Sequence, residues 1–387
     1  MGNPISLLKS RHRQMAFDLL YRKRVISRVE IARELGVSLQ TAMKIMGYFT
    51  DFGLAYCVGG GDSQIGRRPQ MYEINPGAAY IIAAVNEGSI LRVGVLNLCR
   101  ELLCEETAEL RGGVREALVC QPCEMADRLL DGLKREGRRT GKLLGTGVCL
   151  PAVVDNERRT ISFAPSFTMN APYQIGSLLD EIAERTGASV LIENDVNAAV
   201  YGECSCRDCA DLAYINIGSG IGMGLVLDGK LRHGPAFTAG EIGIMPYNGP
   251  GAPQETRSTE DLIGLDALKK RFGFDRQFGT QAMDAQARIL MINAVADTVG
   301  YIIAVCAAMV NISDFIVGGL TMDLLGEELF EALCRKAGKL SPVPVTLHTQ
   351  SLACPSLAGA AQKVIDANIG ALLTMDDETQ TPKEENI

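Results

Sequence analysis

The sequence contains no run of 18 apolar residues, and its N-terminus lacks the basic-then-apolar order of a secretory signal. These absences exclude, at this level, a hydropathy-defined span and an export leader, and leave a cytoplasmic protein with no membrane partner as the expectation. A complete set of paired zinc thiols is also missing. The tightest cluster is Cys204, Cys206 and Cys209 in ECSCRDCAD, with a separate pair at Cys120 and Cys123, whereas structural zinc takes four ligands in two close groups. Whether the three-thiol loop holds a metal stays open beside the simpler reading of solvent-side thiols. The twelve cysteines are scattered through stretches such as YIIAVCAAMV and read as reduced thiols rather than a disulfide framework.

What is present is ample material for a core. The 387 residues are 47% apolar and 22% charged, which suits two or three packed domains. The net charge of −8 conceals a division. The first 75 residues carry 11 Lys and Arg against 6 Asp and Glu, a balance of +5, and the rest, with 27 against 40, carries −13. A basic head on an acidic body is what a chain needs when one module faces a polyanion and the other must not adhere to it.

The head reads as a helix-turn-helix. Residues 13–24 form an amphipathic helix with Met15, Leu19 and Leu20 inward and Arg13, Arg22, Lys23 and Arg24 elsewhere. Ser27 and Glu30 form a capping box that opens a short helix with Ile31 and Leu35 inward, and Gly36 ends it. Ser38 caps the next helix, where Ala42, Ile45, Met46 and Phe49 recur at helical spacing and leave Gln40, Thr41 and Lys44 outward. Gln suits adenine and Lys suits guanine or phosphate, so Ser38, Gln40, Thr41 and Lys44 are the expected DNA-facing residues. YCVGGG and PQMYEI then read as two strands flanking the loop DSQIGRRP, a wing whose Arg67 and Arg68 would lie along phosphates or in a narrow minor groove.

The body, from Tyr80, alternates strands, helices and glycine-rich turns in an α/β pattern. AAVNEGSILRVGV, residues 83–95, reads as a hairpin of two apolar strands around a small-residue turn. NIGSGIG supplies backbone amides at Gly218, Ser219 and Gly220 with no side chain in the way. LIENDVNAAVYGE ends a strand in Glu193-Asn194-Asp195, which places an acid where α/β proteins bind ligands. Glu241 in TAGEIG and Glu260 in STEDLIG add two carboxylates beside glycines and small residues, a composition suited to holding hydroxyl groups.

The order of winged helix-turn-helix, GRRP, hairpin, ENDVNAA, NIGSGIG, AGEIG and NISDFIVGG resembles the ROK family of repressors, open reading frames and sugar kinases, and in particular its repressor branch of xylose and N-acetylglucosamine regulators. The likeness runs from residue 10 to about residue 370. It implies a winged helix-turn-helix domain over 1–75 and an actin-like, ribonuclease-H-like pair of lobes over 76–374 that binds effector and dimerises. An acidic tail over 375–387, MDDETQTPKEENI in its fuller extent, is expected to be disordered.

By that resemblance Asp195 matches the kinases' catalytic base, and Asn194, Glu241 and Glu260 match ligands of sugar hydroxyls. Gly218, Ser219 and Gly220 match the second phosphate loop, and Gly318 and Gly319 the adenosine contact. One departure argues against kinase activity, and a second bears on the effector. The first phosphate loop of the kinases reads D-x-G-x-T, and here Val85 replaces the Asp, Glu87 the first Gly and Ser89 the Thr. Val85 cannot orient a magnesium-bound water, and a carboxylate about 4 Å from a phosphate repels it by about 4 kcal/mol at an effective dielectric near 20. The family's zinc-binding His is replaced by Ile244, and MPYNGPGAPQETRSTEDL contains no cysteine, so no metal is expected there and the prolines at 246, 250 and 253 are left to hold the loop. The expectation is a repressor of carbohydrate genes: a homodimer or higher oligomer on a double-stranded operator, with a sugar or derivative in a cleft that no longer phosphorylates it. Two alternatives are a ligand-independent repressor with a vestigial pocket and an ATP-dependent sugar kinase.

Overall fold

The structure is a computed structural model, and it describes residues 4–60, 70–138, 141–164, 172–207, 209–247, 257–273 and 283–375. Arg67 and Arg68, Pro250 and Pro253, and the tail beyond Met375 therefore lie outside the described residues.

The head comprises α1 (Pro4–Lys23), β1 (Val25–Ser27), α2 (Arg28–Leu35), α3 (Leu39–Asp51), β2 (Ala55–Gly60) and β3 (Gln70–Ile74). Its turns are set locally, as expected. The Ser27 hydroxyl accepts from the Glu30 N–H at 3.2 Å, and the Glu30 carboxylate accepts from the Ser27 N–H at 2.9 Å. Gly36 closes α2 in the left-handed conformation, φ 64°, which glycine adopts without a Cβ clash. The Ser38 hydroxyl caps α3 by accepting from the Thr41 N–H at 3.1 Å, and Ala42, Ile45, Met46 and Phe49 are buried. The strands pair in the order β1-β3-β2, a wing pair with a third strand ahead of α2.

Three expectations for the head need correction. The first helix begins at Pro4 rather than near residue 13. Met15 is exposed, and Phe17 takes the inward place beside Leu19 and Leu20. Arg13, expected outside, is 4% exposed: its Nη1 donates to the Leu373 carbonyl at 2.8 Å and its guanidinium stacks 3.4 Å from the centre of the Tyr48 ring. A guanidinium tolerates burial when its N–H groups find acceptors and its plane finds an aromatic face.

The body is two lobes of the same plan. The first holds β4 (Ala79–Glu87), β5 (Ile90–Asn97), β6 (Leu102–Glu109), α4 (Gln121–Arg135), β7 (Lys142–Leu150), a short three-stranded flap of β8 (Val153–Asp155), β9 (Thr160–Ser162) and β10 (Tyr173–Gln174), then α5 (Gly176–Thr186), β11 (Val190–Asn194) and α6 (Asp195–Arg207). The second holds β12 (Leu212–Ile217), β13 (Ile221–Leu227), β14 (Lys230–Leu231), the small ribbon of β15 (Pro246–Tyr247) and β16 (Arg257–Ser258), α7 (Thr259–Ile263), α8 (Leu265–Phe272), α9 (Ala285–Val310), β17 (Asp314–Gly318), α10 (Leu320–Leu340), β18 (Thr346–Thr349) and α11 (Pro355–Leu373). The sheet orders are β11-β7-β4-β5-β6 and β14-β13-β12-β17-β18. In each, three antiparallel strands adjoin two parallel ones, the repeated half of an actin-like fold.

The helix α9 is long and apolar enough to cross a membrane by length and composition. Its Met291, Val295, Val299 and Ile303 are sealed in the core of the second lobe with Leu325, Leu329 and Leu333 of α10, so it serves as a core helix here.

Two helices tie the lobes together. α6 leaves the first lobe and packs on β12 and β13 of the second, while α11 leaves the second and packs on β4 and β7 of the first. They meet backbone to backbone, since a Cβ on Gly359 would lie 1.7 Å from the Ala198 carbonyl oxygen. The buried Glu203 of α6 accepts from the N–H groups of Ser351 and Leu352 at 2.7 and 2.9 Å, which fixes the approach to α11. One apolar cluster runs from the head through α11 into the first sheet, with Phe17, Leu20, Phe49, Leu372, Ile369, Val364 and Ile81 among its members. The head is thereby packed against the body rather than merely tethered to it.

Candidate functional site

The site is built where strand ends of both lobes face one another. The β4–β5 turn and the β12–β13 turn come together: a Cβ on Gly88 would lie 3.1 Å from the Ser219 hydroxyl. Gly218, Ser219 and Gly220 form the second turn, closed by the Gly218 N–H donating to the Gly220 carbonyl at 3.0 Å. The structure thus brings together two of the loops picked out in the sequence.

Asp195 stands at the first position of α6, directly after β11. Burial pushes its carboxyl up to about 7; backbone N–H groups oppose the shift, and the charges of Glu87 and Glu241 add to it. Although Glu87 presents surface to solvent, its place in a concave cleft desolvates it and raises its carboxyl, with Arg92 opposing and Asp323 and Glu105 reinforcing the shift. Glu241 is raised by burial and then by Glu260, and Glu260 is raised by burial while its Oε2 accepts from the Ile221 N–H at 3.3 Å. Glu87, Asp195, Glu241 and Glu260 therefore form one electrostatically connected group of carboxylates. Such a group accepts hydrogen bonds from hydroxyls and disfavours the approach of phosphates.

Asn194 has a structural task as well. Its Oδ1 accepts from the N–H groups of Val196 and Asn197 at 3.0 Å each, capping α6, and its Nδ2 donates to the Ala152 carbonyl at 3.1 Å. One amide hydrogen is left for a ligand.

Val85 is fully buried, an apolar member of the core at the end of β4. The side chain that the family resemblance aligns with the kinases' magnesium-orienting Asp is thus hydrocarbon packed inward. A Cβ on Gly318 would meet the Tyr214 hydroxyl at 2.3 Å and Gln350 Oε1 at 2.5 Å, and Gly319, φ 94°, turns the chain into α10. Beside Gly318 a cavity of about 450 Å³ persists, walled by Met322, Phe330 and Gln350 but also by Asp323 and Glu327. Of the loop where the family's zinc would sit, residues 248–256 lie outside the described residues. Ile244 is an exposed hydrocarbon side chain, and among the described residues no group of three His, Cys, Asp or Glu could hold an ion. The same finding applies to Cys204, Cys206 and Cys209. Cys204 is buried rather than solvent-facing, with its sulfur 3.1 Å from that of Cys209.

Sequence reasoning missed the clamp behind the site. Glu193, 2% exposed, accepts from His233 Nε2 at 2.9 Å and from Lys363 Nζ of α11. Burial alone would raise its carboxyl, but the His233 hydrogen bond and the Lys363 charge together hold it down to about 2. Glu193 was visible in ENDVNAA, but its partners lie 40 and 170 positions away, and no local pattern points to them.

In the head, Gln40 and Lys44 are exposed, whereas Thr41 is half-buried and shares a hydrogen bond with the Ser38 hydroxyl at 2.9 Å. Behind that face, the Tyr48 hydroxyl of α3 donates to the Leu372 carbonyl at the end of α11 at 2.8 Å and accepts from the Met375 N–H at 3.1 Å.

Comparison with known proteins agrees with this geometry. Residues 123–340 match the ROK family. A xylose repressor of Caldicellulosiruptor bescii is 26% identical over 252 residues, 64% of this chain and 61% of that protein, so the match spans about three fifths of the repressor's length. A glucokinase of Thermotoga maritima is 33% identical over 133 residues, 33% of this chain and 40% of its own. Among solved structures, a ROK family transcriptional regulator described as a homolog of the E. coli MLC protein superposes with a TM-score of 0.71 over 95% of this chain and 98% of its own, at 17% identity. That last likeness establishes the fold.

Proposed function

The chain belongs to the ROK family, and from that premise we propose that it is a DNA-binding transcriptional repressor of carbohydrate genes whose cleft holds a sugar without phosphorylating it. The observation that carries this reading is the direct bonding of the recognition helix to α11, the same helix whose Lys363 clamps Glu193 beside Asn194 and Asp195. Occupancy of the cleft and the pose of the reading helix then share one rigid element. A sugar shifts the balance between two poses by the difference in its affinity for them.

Asn194, Asp195, Glu241 and Glu260 take the sugar hydroxyls. Gln40 and Lys44 read base edges, Ser38 and Thr41 set the N-terminus of α3 against a phosphate, and Arg67 and Arg68 follow the backbone from the wing. Two chains form a homodimer on an inverted repeat in the cytoplasm. A xylose repressor among the relatives makes D-xylose the first effector to try.

The kinase reading keeps Asp195 as base but lacks a carboxylate where the kinases orient magnesium. It must also seat phosphates beside Glu87 and Asp323, which disfavour them. The relic positions Gly218, Ser219, Gly220, Gly318 and Gly319 fit a nucleotide site no longer in use. Two experiments test the proposal. Operator binding measured with and without D-xylose should differ, and a coupled assay of the full chain with Mg·ATP and sugar should release no ADP above background; turnover would favour the kinase.

A further inference from the structure

A cavity of about 430 Å³ opens where the head meets the body, and none of the cleft residues lines it. Its walls come from the end of α1 with Tyr21, Arg22 and Arg24, the β5–β6 turn with Arg100, the facing sides of α6 and α11 with Tyr201 and Asp366, and the β13–β14 turn. The guanidinium carbons of Arg24 and Arg100 lie 5.3 and 5.6 Å from the centre of the same Tyr21 ring. In the head, Lys23 and Arg33 pair with Glu34. Among the described residues no carboxylate stands within 4.0 Å of Arg22, Arg24 or Arg100. Arg100 is anchored by its Nη1 on the Ser205 hydroxyl, while its Nε is buried and has no partner among the described residues.

The cavity also holds acids, and they are otherwise engaged. Gln14 donates to Asp18 at 2.9 Å, and Gln362, at 2.7 Å, and the Tyr201 hydroxyl donate to Asp366. Burial raises both carboxyls, and the charge of Arg22 opposes the shift at Asp18 as that of Arg100 does at Asp366. Arg24 and Arg100 are moreover in the left-handed backbone region, φ 64° and 66°, at the end of α1 and in the turn after β5. Glycine fills such positions without a Cβ clash, and side chains held there by the surrounding structure are characteristic of ligand clamps.

We propose that this cavity binds a small phosphate monoester, with its phosphate on Arg24 and Arg100, Arg22 at the rim, and its hydroxyl-bearing remainder against Tyr21 and Asp366. Several guanidinium groups converging with no carboxylate within 4.0 Å among the described residues suit a dianion, whose oxygens accept from separate N–H groups and whose charge outweighs the longer-range pull of Asp18 and Asp366. The volume exceeds that of a bare phosphate and lies in the ordinary range for a small-metabolite pocket. Because the walls belong to both head and body, the ligand bridges them and supplies a second input to DNA binding, separate from the sugar cleft. The binding site does not rest on the function proposed for that cleft, whereas the second input rests on the DNA-binding reading.

Calorimetric titration of the full chain with ribose phosphate, glycerol phosphate and inorganic phosphate at fixed ionic strength tests it. Arg24→Gly and Arg100→Gly relieve the left-handed backbone, so lost binding in these variants reports the lost guanidinium rather than misfolding. Ribose phosphate is expected to bind one per chain, at least tenfold more tightly than inorganic phosphate, and each variant is expected to weaken it at least tenfold. No binding of any probe by the native chain, equal binding by the double variant, or inorganic phosphate binding as tightly as the esters would overturn the assignment. So would a double variant that loses operator affinity while the native chain binds no probe, since the guanidinium groups would then serve the DNA backbone.

Discussion

Tyr48 of the recognition helix donates its hydroxyl to the carbonyl of Leu372, 324 positions further along the chain, at 2.8 Å. The contact joins the helix proposed to face DNA to a helix whose middle is held by the buried carboxylate next to the acids proposed to bind sugar. If α11 transmits occupancy, Tyr48→Phe should keep the ring in the core and lose only the hydrogen bonds. Stability should fall by about 1 kcal/mol in urea denaturation. Operator affinity should become insensitive to the effector, as read by anisotropy with and without sugar.

The clamp at the other end of that helix gives a second expectation. Lys363→Met leaves Glu193 buried without its cationic partner, though still accepting from His233, the Asn194 N–H and Asn197 Nδ2, and removing one member of a buried charge pair typically costs about 3–5 kcal/mol. The loss should appear as a lower denaturation midpoint at pH 7. Because the folded Glu193 carboxyl is held down to about 2, below its ordinary value, its contribution is present above the unfolded value and lost as pH falls through about 2. The native chain should therefore converge with the variant in acid.

Asp195 carries the opposite sign. Its carboxyl is raised to about 7, so the ionised form that accepts a sugar hydroxyl is in the minority below that pH. Sugar affinity should rise between about pH 6 and 8 and then level off. Removing a neighbouring negative charge should lower the midpoint, so Glu87→Gln should move the profile toward acid. A profile flat across this range would remove Asp195 from the sugar site.

The crossing of α6 and α11 is close enough to be tested by one methyl group. A Cβ at position 359 would fall 1.7 Å from the Ala198 carbonyl oxygen, so Gly359→Ala must force the two helices apart. Overpacking of this kind costs about 1–3 kcal/mol. Calorimetry should show a lowered Tm, whereas Gly370→Ala, where nothing lies within 4 Å, should leave it nearly unchanged.

Much of this was legible in the sequence because it is local. The capping box of Ser27 and Glu30, the cap at Ser38, the core stripe of α3 and the β4–β5 hairpin each depend on residues a few positions apart, and the structure contains all four. The acids at 195, 241 and 260 were legible as types beside glycines, while their electrostatic union with Glu87 needed the two lobes closed on each other. Arg13 was misplaced because a basic residue on an amphipathic helix ordinarily faces water. The Leu373 carbonyl and the Tyr48 ring, both distant in sequence, help make its burial tolerable. The bonds from Glu193 to Lys363 and from Tyr48 to Leu372 span 170 and 324 positions and leave no periodic trace.

The most direct test is the affinity of the full chain for a duplex enriched from a random library, measured with no nucleotide or magnesium while D-xylose and other aldoses are added, the sugar then being recovered and analysed. A change of at least about fivefold with one sugar, the lower end of ordinary allosteric coupling, together with recovery of that sugar unphosphorylated, is what the account expects. Affinity unmoved by every sugar, or moved only when Mg·ATP is present, would contradict it.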